Sequence, residues 1–260
     1  MQKWFETPPG RYLLAWERAE FDRAVGDIFG YHALQLGLPE LDTLAANRMP
    51  HKWLALPEAQ AVAADVKPDL VTDFAALPFE ENSIDLVVLP HSLELNVDPH
   101  TTLREVERVL VPEGKVVICC LNPASLWGLR QRRAHLYRRF GVGELYLPDA
   151  GDFIGYWRLR DWLRLLSFEV EASSFGCYRP ALNTEKWLER FGWMDAVGER
   201  SWPIFGAVYF IVAVKRVRGA KWIGPVWKKA KALASAPVPI TNRSGRRQPE
   251  LQAHQNTLTE

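Results

Sequence analysis

The sequence predicts an α/β fold, a mainly parallel sheet with helices on both faces. Three observations carry this reading. Residues 83–90, SIDLVVLP, contain a continuous apolar run of the kind found when helices cover both sides of a strand. Asp98-Pro99, followed by apolar positions at Leu103, Val106 and Leu110, describes a capped amphipathic helix. Strand-like and helix-like stretches then alternate along most of the chain, as β–α–β units require.

In chain order, residues 11–30 place Leu13, Leu14, Ala19, Phe21, Val25 and Ile28 at mostly helical spacing, and Gly30 stops the run. YHALQLGLP reads as a short strand ending at Gly37. Residues 39–50 are weakly patterned. HKWLAL (51–56), DLVTD (69–73) and SIDLVVLP are three further strands. Asp98 caps the next helix, Pro112, Glu113 and Gly114 break it, and KVVICCL resumes a strand. RLRDWLRLL (158–166) is amphipathic, with Leu159, Trp162, Leu163 and Leu166 on one side. FEVEASS alternates as a half-buried strand, and AVYFIVAVKR closes the series. The chain therefore divides into an N-terminal helical cap (1–30), an α/β domain (31–218) and a basic, largely disordered tail (219–260). Insertions at 122–157 and 176–206 are expected to cover the ligand face.

Bulk composition narrows the class. With 260 residues, 48% hydrophobic and 24% charged, this is an ordinary globular protein rather than a fibrous or disordered one. The net charge is only +1, yet Lys215 to Pro249 holds ten Lys or Arg and no acid. Such asymmetry points to an anionic partner or to a solvated tail. Cys119, Cys120 and Cys177 have neither metal-ligand nor disulfide-framework spacing, so no metal site is expected and a reducing cytoplasm is the simplest setting. The amino terminus lacks the apolar core of a signal peptide. The longest apolar run, PIFGAVYFIVAV, is twelve residues, short of the ~20 that a spanning helix needs.

In open α/β sheets the ligand sits beyond the carboxyl ends of the strands, where the strand order reverses. That rule selects Gly37, Asp73, the stretch Pro90 to Ser92, and Asn122. Around them the chain reads Asp73, Leu77-Pro78-Phe79, Ser83-Ile84-Asp85, Leu103-Arg104-Glu105, Arg108-Val109-Leu110, Pro112 and Gly114. This order and spacing resembles the class I S-adenosylmethionine-dependent methyltransferases of the type 11 group, over about fifty residues. YFIVAVKR is similar to that family's seventh, antiparallel strand.

The resemblance implies a Rossmann-like, seven-stranded fold, S-adenosylmethionine as cofactor, and a small-molecule or lipid-like methyl acceptor. It places Asp73 at the adenine amino group with Phe74 beside the ring. A carboxylate accepting from an exocyclic amine is apt chemistry; a turn aspartate bound to its own backbone is the alternative. Gly37 takes the place of the glycine loop after strand one, although Leu38-Pro39-Glu40 replaces the further glycines. Gln35 stands where an acid usually holds the amino group of the cofactor. Glu58 is the candidate for the ribose hydroxyls. Pro90 and His91 follow strand four, where His91 would act as a base or orient the acceptor, a hydrogen-bonded structural histidine being the alternative. Asn122-Pro123 resembles an amino-group methyltransferase motif but follows strand five, so a turn role fits it better.

Tyr12, Glu17 and Tyr31 precede the first strand and are candidates to cover the cofactor or simply to pack. The run Arg130, Arg132, Arg133, Arg138 and Arg139, interleaved with Leu136, Tyr137 and Phe140, suits an anionic ligand or membrane surface, or a solvated helix face. The near-zero net charge disfavours nucleic acid. Two other functions stay open: a binding module on a methyltransferase fold whose first loop has decayed, and an RNA-binding or RNA-methylating protein. Nothing in the sequence fixes the oligomeric state.

Overall fold

A seven-stranded sheet in the order β3-β2-β1-β4-β5-β7-β6 forms the centre of the computed structural model. The structure describes residues 2–58, 66–138, 145–148 and 153–216. The tail at 219–260 and Arg139 lie outside the described residues. The strands are β1 (His32–Leu36), β2 (His51–Leu56), β3 (Leu70–Val71), β4 (Ile84–Pro90), β5 (Leu110–Leu121), β6 (Phe168–Gly176) and β7 (Val208–Lys215). All neighbours from β3 to β5 pair in parallel, while β7 runs antiparallel to both β5 and β6. The strand order reverses between β1 and β4, the switch point at which such sheets bind ligands.

Each face has its own apolar core. Helices α4 (Pro99–Val109) and α6 (Tyr156–Leu165) cover one. There Leu103, Val106, Leu159 and Leu163 meet Leu34, Val87, Leu89 and Ile118 of the sheet. Helix α2 (Pro8–Gly26), preceded by the short α1 (Gln2–Phe5), covers the other. Its Leu13, Phe21 and Val25 join Leu41 and Met49 against Ala33, Leu86, Val88 and Val117. Cys119 and Cys120, neighbours on β5, point into opposite cores, as strand alternation demands. Each fully buried side chain of this size contributes about 1.5–3 kcal/mol, so these two stripes fix the layers.

Several elements depart from the sequence pattern. Helix α2 begins at Pro8, with the Thr7 hydroxyl accepting from Gly10 N–H, and ends at Gly26 rather than at Gly30. β3 is only two residues long. Leu110, expected on the helical stripe, is already the first residue of β5. Residues between Leu110 and Lys115 loop out of register against β4, and Glu113 turns the corner at φ 65°. Residues 39–50 contain no helix, so α2 and this loop together do the covering on that face.

The stretch 122–157 contributes helix α5 (Leu126–Arg138), and 176–206 contributes α7 (Glu185–Arg190) and α8 (Trp193–Ser201). These two stretches join one another and the amino terminus. Asn122 donates to the carbonyls of Ile204 and Gly206 at 2.8 and 2.9 Å. Trp127 donates to Arg179 O, and Trp4 to Tyr146 O. Among the described residues no helix is long and apolar enough to cross a membrane.

The motif that carried the resemblance turns out to be a set of braces. Arg108 donates to the carbonyls of Leu77 and Phe79, both at 2.9 Å, and pairs with Glu105 at 2.8 Å. Glu105 in turn accepts from Leu77 N–H. Asp85 accepts from the N–H groups of Tyr31 and His32 at the start of β1, both at 2.9 Å. These contacts fasten α4 to the turn after β3, and β4 to β1. Replacing Arg108 with methionine strands two carbonyls and a carboxylate, and it should lower stability by about 1–3 kcal/mol. Arg104→Met, on the exposed side of the same helix, should be nearly neutral. Urea unfolding of the two variants provides the comparison.

Candidate functional site

Parallel register brings the carboxyl ends of four strands to one rim. Leu36 pairs with Ala55, Leu56 with Val71, and Gln35 with Val88. Gly37, Glu58 and Asp73 therefore follow the ends of β1, β2 and β3 on one rim, and Pro90 is the last residue of β4. Gly37 and Leu38 both adopt the left-handed region, at φ 81° and 48°. This sharp exit from β1 is easy only for glycine at the first position. Gly37 N–H bonds to Ala55 O at 2.9 Å, which ties the exit to β2.

Asp73 is exposed and spends one carboxylate oxygen on Ala75 N–H at 2.9 Å, an Asx-type turn. Glu58 is exposed two residues past β2. Phe74, by contrast, is buried in the core under the rim.

Gln35 differs from the expectation. It is buried, and both ends of its amide are committed to the protein. The nitrogen donates to the carbonyls of Gly37, Leu38 and Leu41 at 3.0, 2.9 and 2.8 Å. The oxygen accepts from Thr43 N–H at 3.0 Å and from Thr43 Oγ1 at 2.7 Å. The side chain is the hub of loop 37–43 and has no polar atom left for a ligand. The geometry also explains why an amide stands here, because a carboxylate would face three carbonyl oxygens.

His91 matches the second of its two expected roles. It is fully buried, at φ 53° and ψ 10°, a left-handed conformation uncommon for a residue other than glycine. Its Nε2 lies 2.6 Å from Glu17 Oε1 and its Nδ1 lies 3.0 Å from Glu94 Oε2. With both ring nitrogens engaged by protein carboxylates, His91 has the contacts of the hydrogen-bonded structural histidine that stood as the alternative to a base, and forms a buried clamp. Glu94, in helix α3 (Ser92–Leu95), accepts from Leu121 N–H with its other oxygen. Ser92 Oγ donates to Leu36 O. The clamp thereby joins α2, the ends of β1 and β4, and the end of β5. Burial works to lower the pKa of His91, but the charges and hydrogen bonds of Glu17 and Glu94 outweigh it and raise it from 6.5 to about 10. Burial pushes the Glu94 carboxyl up, against the pull of His91.

Cys119 Sγ approaches Glu17 Oε1 at 3.5 Å, so carboxylate, imidazole and thiol lie together. The separation of 2.6 Å between Glu17 and His91 is that of a direct hydrogen bond. Two ligands each about 2.0–2.2 Å from a zinc ion stand farther apart than that.

Glu17 was left open between cofactor cover and packing, and its clamp role was missed. A signal for its burial existed, since it falls on the i, i+4 stripe of Leu13, Phe21 and Val25. Nothing local marked Glu94 as its counterpart. Tyr12 bonds to Asp195, while Tyr31 is 71% exposed. Arg130, Arg132, Arg133 and Arg138 are exposed on α5; Arg130 stacks on Tyr146 and donates to Ala181 O.

The strand order with an antiparallel seventh strand, and a ligand rim at the β1/β4 switch, define a class I methyltransferase fold. Comparison with known proteins agrees. Residues 47–118 match the methyltransferase domain family, Methyltransf_11. The uncharacterized protein YafS of Escherichia coli K12 is 32% identical over 174 residues, spanning 66% of this chain and 67% of that protein. The malonyl-[acyl-carrier protein] O-methyltransferase of Halorhodospira halophila is 33% identical over 129 residues, 46% of this chain and 39% of its own. In fold, a SAM-dependent methyltransferase from Archaeoglobus fulgidus superposes with a TM-score of 0.53 at 17% identity, over 78% of this chain and 94% of that one. The chain belongs to the class I SAM-dependent methyltransferase family, whose cofactor is S-adenosylmethionine.

The residues present fit the adenosine half of that cofactor. Exposed Asp73 and Glu58 stand on the rim, where an amine and a diol would need acceptors. For the amino-acid half, Gln35 offers nothing.

Two outcomes follow. Gln35→Glu should destabilise the protein by about 2–4 kcal/mol, because it buries a charge against carbonyls, and should not tighten cofactor binding; urea unfolding and calorimetry read the two effects. For His91, a folded pKa above the unfolded one means that its stabilisation is complete below pH 6.5 and is lost as pH rises through about 10. The raised Glu94 pKa also lowers stability as pH rises, beginning above its unfolded value of 4.5. The urea midpoint should therefore fall across this alkaline window, and fall less in His91→Gln.

Proposed function

We propose that this protein transfers the methyl group of S-adenosylmethionine to a small-molecule or lipid-like acceptor. The observation that carries the reading is the shared rim of Gly37, Glu58, Asp73 and Pro90 at the β1/β4 switch point. Asp73 would accept from the adenine amino group through its exposed carboxylate, and Glu58 from the ribose hydroxyls. Gly37 would let backbone approach the cofactor closely, with Pro90 opposite it. Phe74 would support the rim from beneath.

The cofactor, when bound, supplies an electrophilic methyl on a sulfonium, so the chain has mainly to position the acceptor and exclude water. No strong base is required, which agrees with a His91 that serves only to hold the end of β4. The name of the H. halophila relative states an O-methylated malonyl acceptor; an acyl or lipid-like acceptor for this chain is in keeping with that. The segments 122–157 and 176–206 would close over the acceptor side. The exposed arginines of α5 would meet an anionic ligand or membrane surface, and the basic sequence of the tail suits the same kind of partner in its own right. The three unpaired, buried thiols suit a reducing cytoplasm.

Titration with S-adenosylhomocysteine by calorimetry tests the reading. Binding in the micromolar range is expected, weakened about tenfold or more in Asp73→Ala, the effect of losing one charge-assisted hydrogen bond. A folded protein that binds neither S-adenosylhomocysteine nor S-adenosylmethionine would overturn it and leave a binding module on a methyltransferase fold.

A further inference from the structure

One cavity bears on the identity of the acceptor. It is open, measures about 720 Å³, and is bounded by α3, the start of α4, the segment before α6, and α6 itself. That volume lies within the roughly 300–1,000 Å³ of small-molecule sites. Leu93, on its wall, is three residues beyond Pro90, so the cavity opens beside the end of β4 where an acceptor must arrive.

Its lining is of two kinds. Leu93, Val97, Ile154 and Trp162 are apolar. Against them stand Arg158 and His100. The Arg158 guanidinium lies 5.9 Å from the Trp162 ring centre, and the His100 ring lies 3.7 Å from it. Arg158 is exposed and has no carboxylate partner among the described residues. The nearest acid in sequence to His100, Asp98, has both oxygens committed to capping α4. A guanidinium presents a planar fork that matches a carboxylate or a phosphate. An unpaired fork beside an indole at the mouth of an apolar cavity is a place for an anionic head, with an apolar body lying inward.

We propose that this cavity holds the methyl acceptor, and that the acceptor is an amphiphilic anion whose carboxylate or phosphate is held by Arg158. Its apolar portion lies along Leu93, Val97, Ile154 and Trp162, and His100 adds a ring N–H to the anion. The assignment rests on the methyl-transfer reading above.

The test uses the full chain saturated with S-adenosylhomocysteine and four ten-carbon probes: decanoate, decyl phosphate, decanol and decylamine. Calorimetry should show at least one of the two anions binding tenfold or more tighter than decanol, and decylamine weakest. The better anion tells carboxylate from phosphate. Arg158→Gln should remove that preference while leaving decanol within twofold, and Arg158→Lys should keep part of it. Equal binding of anions and decanol by the parent protein, or a preference unchanged in Arg158→Gln, overturns the assignment. Titration with S-adenosylhomocysteine alone separates the two readings. If it binds and no anion preference exists, only the acceptor assignment falls. If it does not bind while the anion preference holds, methyl transfer falls and the cavity stands as an anion site.

Discussion

The arrangement of the rim depends on a histidine held between two carboxylates in a fully buried position. Glu17 comes from α2, His91 from just past the end of β4, and Glu94 from the short helix α3. Glu94 also holds the end of β5 through Leu121. Such groups are expensive to desolvate, and removing one partner of a buried pair costs about 3–5 kcal/mol. The His91 backbone adds strain of its own in the left-handed region. An apolar cluster of similar volume would pack there with less penalty, but it would not fix direction. Hydrogen bonds at 2.6 and 3.0 Å to opposite ring nitrogens orient the imidazole and, through it, the backbone turn after β4.

On the other side of the switch point an uncharged device does comparable work. Gln35 gathers loop 37–43 around a single amide, so the chain needs no helix between β1 and β2 to shape it. α2 packs on that side of the sheet instead, which places Glu17 within reach of His91. Clamp and hub thus meet at the same switch point: Leu41 of the loop shares a core with Leu13, Phe21 and Val25 of α2, and without Glu17 the histidine would keep only Glu94 as a partner.

Much of the sheet was legible in the sequence because its signals are local. The apolar run at 86–90, the Asp98-Pro99 cap and the Val208–Lys215 strand each declare themselves within a few residues. The fifty-residue motif was informative for the same reason: Arg108, Glu105 and Asp85 brace neighbouring turns, and such braces are dictated by backbone geometry. They specify a fold, and say little about chemistry. The role of Gln35 and the partners of His91 were not legible because those partners are distant or unpatterned. Glu17 is 74 residues from His91, and Thr43 lies in a loop with no periodicity. Sequence position placed both residues on the correct rim, while the direction in which each side chain points is decided by what packs behind the sheet.

The amide hub at Gln35 has a consequence for genetics. A substitution survey that scores loss of activity would rank this position among the ligand-binding residues, since it aligns with one and its loss collapses the loop on which a ligand would rest. Yet the lesion would be architectural, transmitted through five hydrogen bonds that never leave the protein. In a protein whose pocket is shaped by its own interior amides, tolerance to mutation reports on scaffolding and recognition together, and only a variant that keeps the scaffold can tell them apart.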